Sequence, residues 1–238
     1  MSDNLIPIAE VFGPVIQGEG PQAGLPTIFV RTGGCDYRCS WCDSMFAVDP
    51  VNSPTWERLT PEAVVDRVLA LAGACRPLVT LSGGNPAMHK PLGDLVRDLH
   101  DEGFEVAIET QGTVLPSWAA LLDVVVLSPK PPSSGMLFTP TQAGQLKRWL
   151  QVAPDAAIKV VIDGSADDFN FLGWLLSEYP DQVFYAQPCN PVPDADLNTE
   201  TLLSLYRDLV AEIFVRGWLH VRVLPQLHVL AWGGGKGV

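Results

Sequence analysis

The sequence is poor in basic residues, and this shortage limits the partners it can have. Its 238 residues include 15 Lys and Arg against 27 Asp and Glu, which gives a formal net charge of −12 at pH 7. Binding to a nucleic acid backbone relies on many Lys and Arg side chains that release condensed counterions. The composition therefore argues against bulk nucleic acid binding and favours a small-molecule substrate.

Long apolar runs are also missing. No run approaches the roughly 18 to 20 residues that a membrane-spanning helix needs. The first ten residues, MSDNLIPIAE, lack the basic start and the apolar stretch of a signal peptide. We therefore predict a cytoplasmic protein with no membrane partner.

Cysteine is scarce but clustered. Of the five cysteines, Cys35, Cys39 and Cys42 fall within the segment CDYRCSWC (the cysteine loop, residues 35–42), whereas Cys75 and Cys189 stand alone and are expected to be buried thiols. A reducing cytosol disfavours disulfides, so metal binding is the first interpretation. A four-iron cluster on three thiolates keeps one iron open to an outside ligand. A zinc site is the alternative, although structural zinc usually has four protein ligands.

Strand and helix patterns alternate after the cysteine loop, in a chain whose 47% hydrophobic content can fill one large domain spanning residues 1–238. We predict strands at Pro26–Thr32, 78–81, 105–109, Val124–Leu127, 158–162, 183–187 and 220–223. We predict helices from residue 60 onward and at 91–101, 142–150, 167–178 and 198–216. This alternation predicts an α/β fold with a mostly parallel sheet. Because about seven strands are too few for a closed eight-unit barrel, the predicted fold is an incomplete TIM-like barrel.

Polar, Gly-rich or Pro-rich segments follow most of the predicted strands. They are the cysteine loop, SGGNP at 82–86, ETQGT at 109–113, SPK at 128–130 and QP at 187–188. In parallel barrels the C-terminal ends of the strands converge at one edge, where active sites form. The sequence therefore predicts one site at this edge, built from the cysteine loop and these turns.

The cysteine loop resembles a known signature. CxxxCxxC with Trp41 before the last cysteine is typical of the radical S-adenosylmethionine (SAM) superfamily, and Gly83-Gly84-Asn85-Pro86 resembles its cofactor-binding turn, with Asn85 in place of the usual Glu. The resemblance implies a radical SAM type barrel, a [4Fe–4S] cluster, and SAM bound to the open iron. It also implies an external electron donor of the flavodoxin or ferredoxin type. Because an amide accepts from a cationic amine less strongly than a carboxylate, Asn85→Glu is expected to tighten SAM binding.

Further segments are similar to the 7-carboxy-7-deazaguanine synthase family over nearly the whole chain. They are QGEG at 17–20, FVR at 29–31, CDS at 42–44, ETQGT at 109–113, SPK at 128–130 and QLH at 226–228. The resemblance implies a lyase, a homodimer that also uses Mg²⁺, converting 6-carboxy-5,6,7,8-tetrahydropterin into 7-carboxy-7-deazaguanine with release of ammonia, a step towards queuosine. An activating enzyme for a glycyl radical partner and a non-catalytic zinc-binding module are the alternatives.

The resemblance also assigns site residues through these motifs. The cluster ligands are Cys35, Cys39 and Cys42, and the Mg²⁺ ligand is Ser44, whose hydroxyl is the hard oxygen that this ion requires. The SAM-binding residues are Trp41, Cys42, Asp43, Gly84, Ser128, Pro129, Lys130 and Gln187. The substrate-binding residues are Ile16, Gln17, Gly18, Arg31, Ser82 and His228, with residues 1–25 as an N-terminal substrate-binding extension. No general acid or base is predicted, because direct hydrogen abstraction by a radical requires positioning and shielding.

Overall fold

The computed structural model describes residues 4–190, 199–233 and 237. Nine strands form one sheet: β1 (Ile6–Ile16), β2 (Pro26–Thr32), β3 (Glu57–Leu59), β4 (Leu78–Gly83), β5 (Val106–Thr110), β6 (Val124–Leu127), β7 (Ala157–Ile162), β8 (Phe184–Pro188) and β9 (Arg222–Val223). The helices are α1 (Met45–Val48), α2 (Pro61–Ala72), α3 (Leu92–Asp101), α4 (Pro140–Val152), α5 (Ala166–Glu178), α6 (Thr199–Val215) and α7 (Leu227–Trp232).

The strand order is β3-β1-β2-β4-β5-β6-β7-β8-β9. From β2 through β4 to β9 every pairing is parallel. Strand β1 pairs antiparallel with both β2 and β3. Within the described residues, β3 and β9 are the two free edges of the sheet. The sheet is therefore open, and the predicted α/β fold, an incomplete TIM-like barrel of mostly parallel strands, is confirmed.

The parallel strands are apolar along their length because helices cover them. Strand β6 reads VVVL and is almost entirely buried. Helix α2 has a clear N-terminal cap, since the Thr60 hydroxyl accepts a hydrogen bond from the Ala63 N–H (3.3 Å) and Pro61 occupies the first turn. Its buried face, with Val64 and Val68 fully covered, packs onto the sheet. Among the described helices, none is long and apolar enough to cross a membrane.

Seven predicted strands correspond to β2 and β4–β9, and the predicted helices correspond to α2–α6, with position 198 outside the described residues. Strands β1 and β3 were missed, as were α1 and α7. Proline and glycine interrupt the alternation in IPIAEVFGPVI, and β3 is only three residues long, so neither gave a clear period-2 pattern. The expectation for the lone cysteines was half wrong, since Cys189 is buried but Cys75 is exposed.

Candidate active site

A pocket of about 270 Å³ opens where the parallel strands end. Its lining takes Ser82 from β4, Glu109 from β5, Ser128 after β6 and Gln187 from β8. The predicted convergence of post-strand segments is confirmed. The predicted site residues that line the pocket are Gln17, Arg31, Cys35, Cys39, Trp41, Cys42, Asp43, Ser44, Ser82, Gly84, Ser128, Lys130, Gln187 and His228. Ile16, Gly18 and Pro129 adjoin lining residues without lining the pocket themselves.

The cysteine loop is held mainly by one short helical turn, Pro132–Ser134. The Ser40 N–H donates to the Ser134 carbonyl (2.9 Å), and the Ser40 hydroxyl donates to the Ser133 carbonyl (2.9 Å). The Trp41 indole N–H donates to the Ser133 hydroxyl (3.1 Å). Through these bonds the segment after β6 fixes the loop that carries the three thiols.

The three loop thiols face the pocket in a half-buried setting. Burial raises the pKa of Cys35, Cys39 and Cys42, to about 11 for Cys42. Such thiols keep their protons until a metal displaces them. Three soft ligands on one loop beside a pocket with room for another molecule fit an iron–sulfur cluster with one open iron.

The turn after β4 approaches the cysteine loop closely. The Gly84 N–H donates to the Thr32 carbonyl (3.0 Å), and the Asn85 N–H donates to the Gly34 carbonyl (2.9 Å). A Cβ at Gly84 would collide with the Gly34 carbonyl and lie 3.1 Å from the Cys35 Cβ. Glycine is therefore required at position 84 for this approach.

Two buried oxygens in the pocket wall have no hydrogen-bond partner among the described residues. They are Ser82 Oγ and Gln187 Oε1, on residues that are 6% and 4% exposed. Burying a polar group without a partner is unfavourable, so both atoms suit a bound molecule. Nearby in the lining, the Lys130 ammonium donates to the Ser128 hydroxyl (3.0 Å) and lies 5.7 Å from the centre of the Trp41 ring.

Arg31 is prepared to hold an anionic group. Its Nη1 donates to Ser44 Oγ (3.1 Å), and its Nε lies 2.7 Å from Glu10 Oε1. Three aromatic rings surround the guanidinium at 5.4 to 5.9 Å, those of Phe12, Phe29 and Phe46. Ser44 is 8% exposed and also donates to Asp43 Oδ1 (3.0 Å). The planar fork of Arg31 is thus fixed at the pocket wall beside a serine oxygen.

Glu19, Glu109 and Lys159, which we call the buried charge cluster, form the most charged part of the lining. The Lys159 ammonium pairs with Glu19 and lies 3.5 Å from Glu109 Oε2. Burial alone would raise the pKa of Glu19, but Lys159 and His228 outweigh it and hold the pKa at about 2. Burial alone would lower the pKa of Lys159, but the two carboxylates raise it. Glu19 and Lys159 are therefore ionised inside the protein.

Sequence reasoning assigned no role to this cluster, although a signal was present. Lys159 is the one charged residue in the strand AIKVVI, and Glu109 is the one charged residue in VAIET. A lone charge in a strand covered on both faces must be paired or functional. Two amides complete the cluster, because Gln17 donates to Glu109 (3.2 Å) and Gln226 donates to Glu19 (2.7 Å).

Segments from early and late in the chain meet beside this cluster. The Leu227 N–H donates to the Gly18 carbonyl (3.1 Å), and a Cβ at Gly18 would collide with the His228 imidazole. Glycine is therefore needed there so that His228 can reach the pocket lining. The predicted substrate residues Gln17, Gly18 and His228 are thus brought together.

An open parallel barrel with a three-cysteine loop at the C-terminal ends of its strands defines the class of radical SAM proteins. The model of the Radical SAM superfamily matches residues 29–125. The chain is 40% identical to "7-carboxy-7-deazaguanine synthase" of Bacillus subtilis (strain 168) over 98% of each protein. It is 36% identical to the protein of the same name from Halobacterium salinarum, over 95% of this chain and 90% of that one.

The chain belongs to the 7-carboxy-7-deazaguanine synthase family. Among solved structures, the crystal structure of QueE from Escherichia coli shares the fold with a TM-score of 0.67 at 24% identity, over 94% of this chain and 95% of that one. Membership of the radical SAM superfamily implies a [4Fe–4S] cluster and SAM as cofactors. The predicted resemblance is confirmed, and the comparisons favour it over the glycyl radical activating enzyme and the zinc-binding module.

Proposed function

We propose that this protein converts 6-carboxy-5,6,7,8-tetrahydropterin into 7-carboxy-7-deazaguanine with release of ammonia. The observation that carries the proposal is that the three cysteine thiols, the Arg31 guanidinium and the buried charge cluster all line one pocket. One molecule in this pocket would then lie within reach of both a radical source and groups suited to recognise a small charged heterocycle. The names of the relatives support this substrate.

Cys35, Cys39 and Cys42 would hold the cluster. When bound, the cluster and SAM supply the radical that starts the ring contraction. The SAM-binding residues would be Trp41, Cys42, Asp43, Gly84, Ser128, Pro129, Lys130 and Gln187. Within this set, Gln187 Oε1 has no partner in the described part of the chain and is free to accept a hydrogen bond from SAM, and the Gly84 backbone allows close approach to the cysteine loop.

The substrate side is assigned to Ile16, Gln17, Gly18, Arg31, Ser82 and His228. Arg31 would bind the substrate carboxylate, because its planar fork matches a carboxylate and three aromatic rings and Glu10 hold it in place at the pocket wall. To these we add Glu19 and Glu109, whose carboxyl oxygens line the pocket and can accept hydrogen bonds from the N–H groups of the pterin ring.

Ser44 would provide one oxygen to Mg²⁺. The hydroxyl of Ser44 is buried beside the Asp43 carboxylate and the Arg31 guanidinium. Because Mg²⁺ prefers about six oxygens and keeps several waters, the substrate carboxylate is expected to join Ser44 in its shell. Arg31 and the ion would then hold the same carboxylate.

The remaining assignments concern the surroundings of the enzyme. We propose a cytoplasmic homodimer that is reduced by an external flavodoxin or ferredoxin, with no nucleic acid or membrane partner. The cluster chemistry needs a one-electron donor, and the net charge of −12 disfavours polyanionic partners. Residues 1–238 form one domain in this proposal, with 1–25 as a substrate-binding extension, which is supported by Gln17 and Glu19 in the pocket lining.

The test is anaerobic turnover of the reconstituted, reduced protein with SAM, Mg²⁺ and the carboxytetrahydropterin, followed by mass spectrometry. We expect 7-carboxy-7-deazaguanine together with 5′-deoxyadenosine, both abolished by Cys35→Ala. Cys75→Ala is the matched control, since Cys75 is exposed and outside the pocket, and it should retain full turnover. Formation of deoxyadenosine without the deazapurine would overturn the substrate assignment, and an iron-free protein would overturn the cofactor assignment.

A further inference from the structure

The side chain of Asn85 does not face the pocket at the ends of the parallel strands. Asn85 is fully buried and is absent from the pocket lining, whereas its neighbour Gly84 is part of that lining. The amide instead points towards Asp36 in the cysteine loop, with its Nδ2 2.9 Å from Asp36 Oδ1. This placement differs from the sequence-based expectation that residue 85 faces the amino group of SAM.

The orientation of the Asn85 amide is fixed by its partners. Its Oδ1 accepts from the Ala87 N–H (3.3 Å) and from the Thr110 hydroxyl (2.8 Å). Its Nδ2 donates to Asp36 and to the Thr113 hydroxyl (3.1 Å). A backbone N–H can only donate and a carboxylate can only accept, so the amide nitrogen must face Asp36. Both ends of the amide are therefore used inside the protein.

Asp36 accepts a hydrogen bond from a second side chain, which also contacts a cysteine of the cysteine loop. Gln111 Nε2 lies 2.5 Å from Asp36 Oδ1 and 3.4 Å from Cys35 Sγ. The backbone adds a further link, because the Asn85 N–H donates to the Gly34 carbonyl. Asp36 is thus the point at which the cysteine loop is joined to the turn after β4 and to the segment after β5.

We propose that Asp36 and Asn85 act as one positioning pair, in which the carboxylate resides in the cysteine loop and position 85 must therefore carry a neutral donor. The pair sets the distance between the first cluster cysteine and the Gly83-Gly84 turn that borders the SAM site. A carboxylate at the fully buried position 85 would stand next to the carboxylate of the exposed residue Asp36, and like charges at such a separation repel each other.

One consequence reverses the earlier expectation for Asn85→Glu. The longer, charged side chain has no free space at a fully buried position and would meet Asp36, so this change should loosen SAM binding. Asn85→Asp is the sharper probe, because it changes the charge at constant size and keeps the acceptor for Ala87 and Thr110.

The experiment is a double-mutant cycle on the full reconstituted chain with Asp36→Asn, Asn85→Asp and the double variant. SAM dissociation constants are measured by equilibrium dialysis at equal iron content, and thermal unfolding is measured on each protein before and after reconstitution. This inference rests on the proposed SAM site, but the unfolding of the cluster-free chain does not depend on it. The matched control is Asp101→Asn, which removes one exposed charge at the end of α3.

We expect Asn85→Asp to weaken SAM binding roughly tenfold and to lower the unfolding temperature by several degrees. Adding Asp36→Asn should recover much of both losses, since the repulsion is gone. If the loss of SAM affinity in the double variant equals the product of the losses in the two single variants, the two residues act independently and the pairing is overturned. A lowered unfolding temperature with unchanged SAM affinity would overturn the positioning role. If SAM binds neither the wild type nor any variant, while the cluster-free chains still show coupling between the two positions, the proposed function alone is overturned.

Discussion

Around the cysteine loop the pocket is held by hydrogen bonds from backbone, hydroxyl and amide groups, two of which end on the Asp36 carboxylate, whereas beside Glu19 it is held by ion pairs. The thiols are half-buried and their loop bonds to Ser133 and Ser134, which are neutral groups. Lys159, in contrast, is 5% exposed and compensates two carboxylates. The loop expected to accept iron and electrons stays accessible, while the surface proposed to recognise the polar ring of the substrate is fixed in advance, so that binding would cost less ordering entropy.

The strongest test of the ionic part is Lys159→Met, which keeps the length of the side chain and removes its charge. It leaves the largely buried Glu19 and the partly exposed Glu109 without their cation, and we expect the free energy of unfolding to fall by about 3 kcal/mol, the lower end for a buried pair. Chemical denaturation of the full chain measures this loss. Lys147→Met, at an exposed position of α4, is the control and should change little. A fall in the free energy of unfolding of less than about 1 kcal/mol would contradict a stabilising pairing of Lys159 with the two carboxylates.

The acid dependence of stability sharpens the same contrast. The pKa of Glu19 is lowered from 4.5 to about 2 in the folded protein. Its contribution is therefore complete above pH 4.5 and is lost as the pH falls towards 2. We expect a steep loss of stability over this interval in the wild type and a much shallower one in Lys159→Met. Identical slopes in denaturant titrations at several pH values would contradict the ion pair.

The next effect in size is that of Arg31→Lys. The lysine keeps the charge but loses the fork that reaches Ser44 and the aromatic rings, so it cannot hold a carboxylate with two parallel bonds. We expect KM for the pterin to rise roughly 10- to 100-fold, with the iron content unchanged. Arg148→Lys on α4 serves as the exposed control. An unchanged KM in steady-state assays would remove Arg31 from the substrate site.

A smaller effect is expected for Ser44→Ala. Loss of the hydroxyl should raise the Mg²⁺ concentration needed for half-maximal turnover by about tenfold, since waters can replace one ligand in part. Ser44→Thr retains the oxygen and should behave like wild type. The comparison is made by titrating Mg²⁺ at saturating SAM, and equal curves for Ala and Thr would rule out the ligand role.

The smallest effect tests the neutral side of the pocket. Trp41→Phe removes the hydrogen bond to Ser133 Oγ and keeps an aromatic ring beside Lys130. We expect a loss of about 1 kcal/mol in stability and little change in iron content. Trp232→Phe, at a 52% exposed tryptophan, is the control for a generic tryptophan effect. Complete loss of the cluster would show that the loop depends on this single bond.

The sequence was sufficient for the parallel strands, because their continuous apolar runs and the turns between them have few other interpretations. The cysteine spacing likewise located the pocket. Strand β1 was not recoverable, since its pairing with β2 depends on long-range register and includes two irregularities. The Asn85 contact with Asp36 was not recoverable either, because position within a motif does not tell which way a side chain turns.

Among the site residues, the sequence motifs likewise predicted which segments meet at the pocket but not which side chains line it. Gly18 and Pro129 belong to the matching segments and Ile16 directly precedes one, but none of the three lines the pocket. Lys159 belongs to no motif; its lone charge in AIKVVI is visible in the sequence, but its partners are known only when β5, β7 and the segment at 17–20 are folded together. Charge pairing across the sheet is a property of the tertiary structure.

The contact between Gln226 and Glu19 joins residues 207 positions apart in the chain. During synthesis the early segment leaves the ribosome long before residues 226–228 have been made. The part of the pocket around His228 can therefore form only after the cysteine loop and the strands beside it have emerged. Assembly of the pocket thus follows the order of synthesis, with the thiol side present before the contact that joins Gln226 to Glu19.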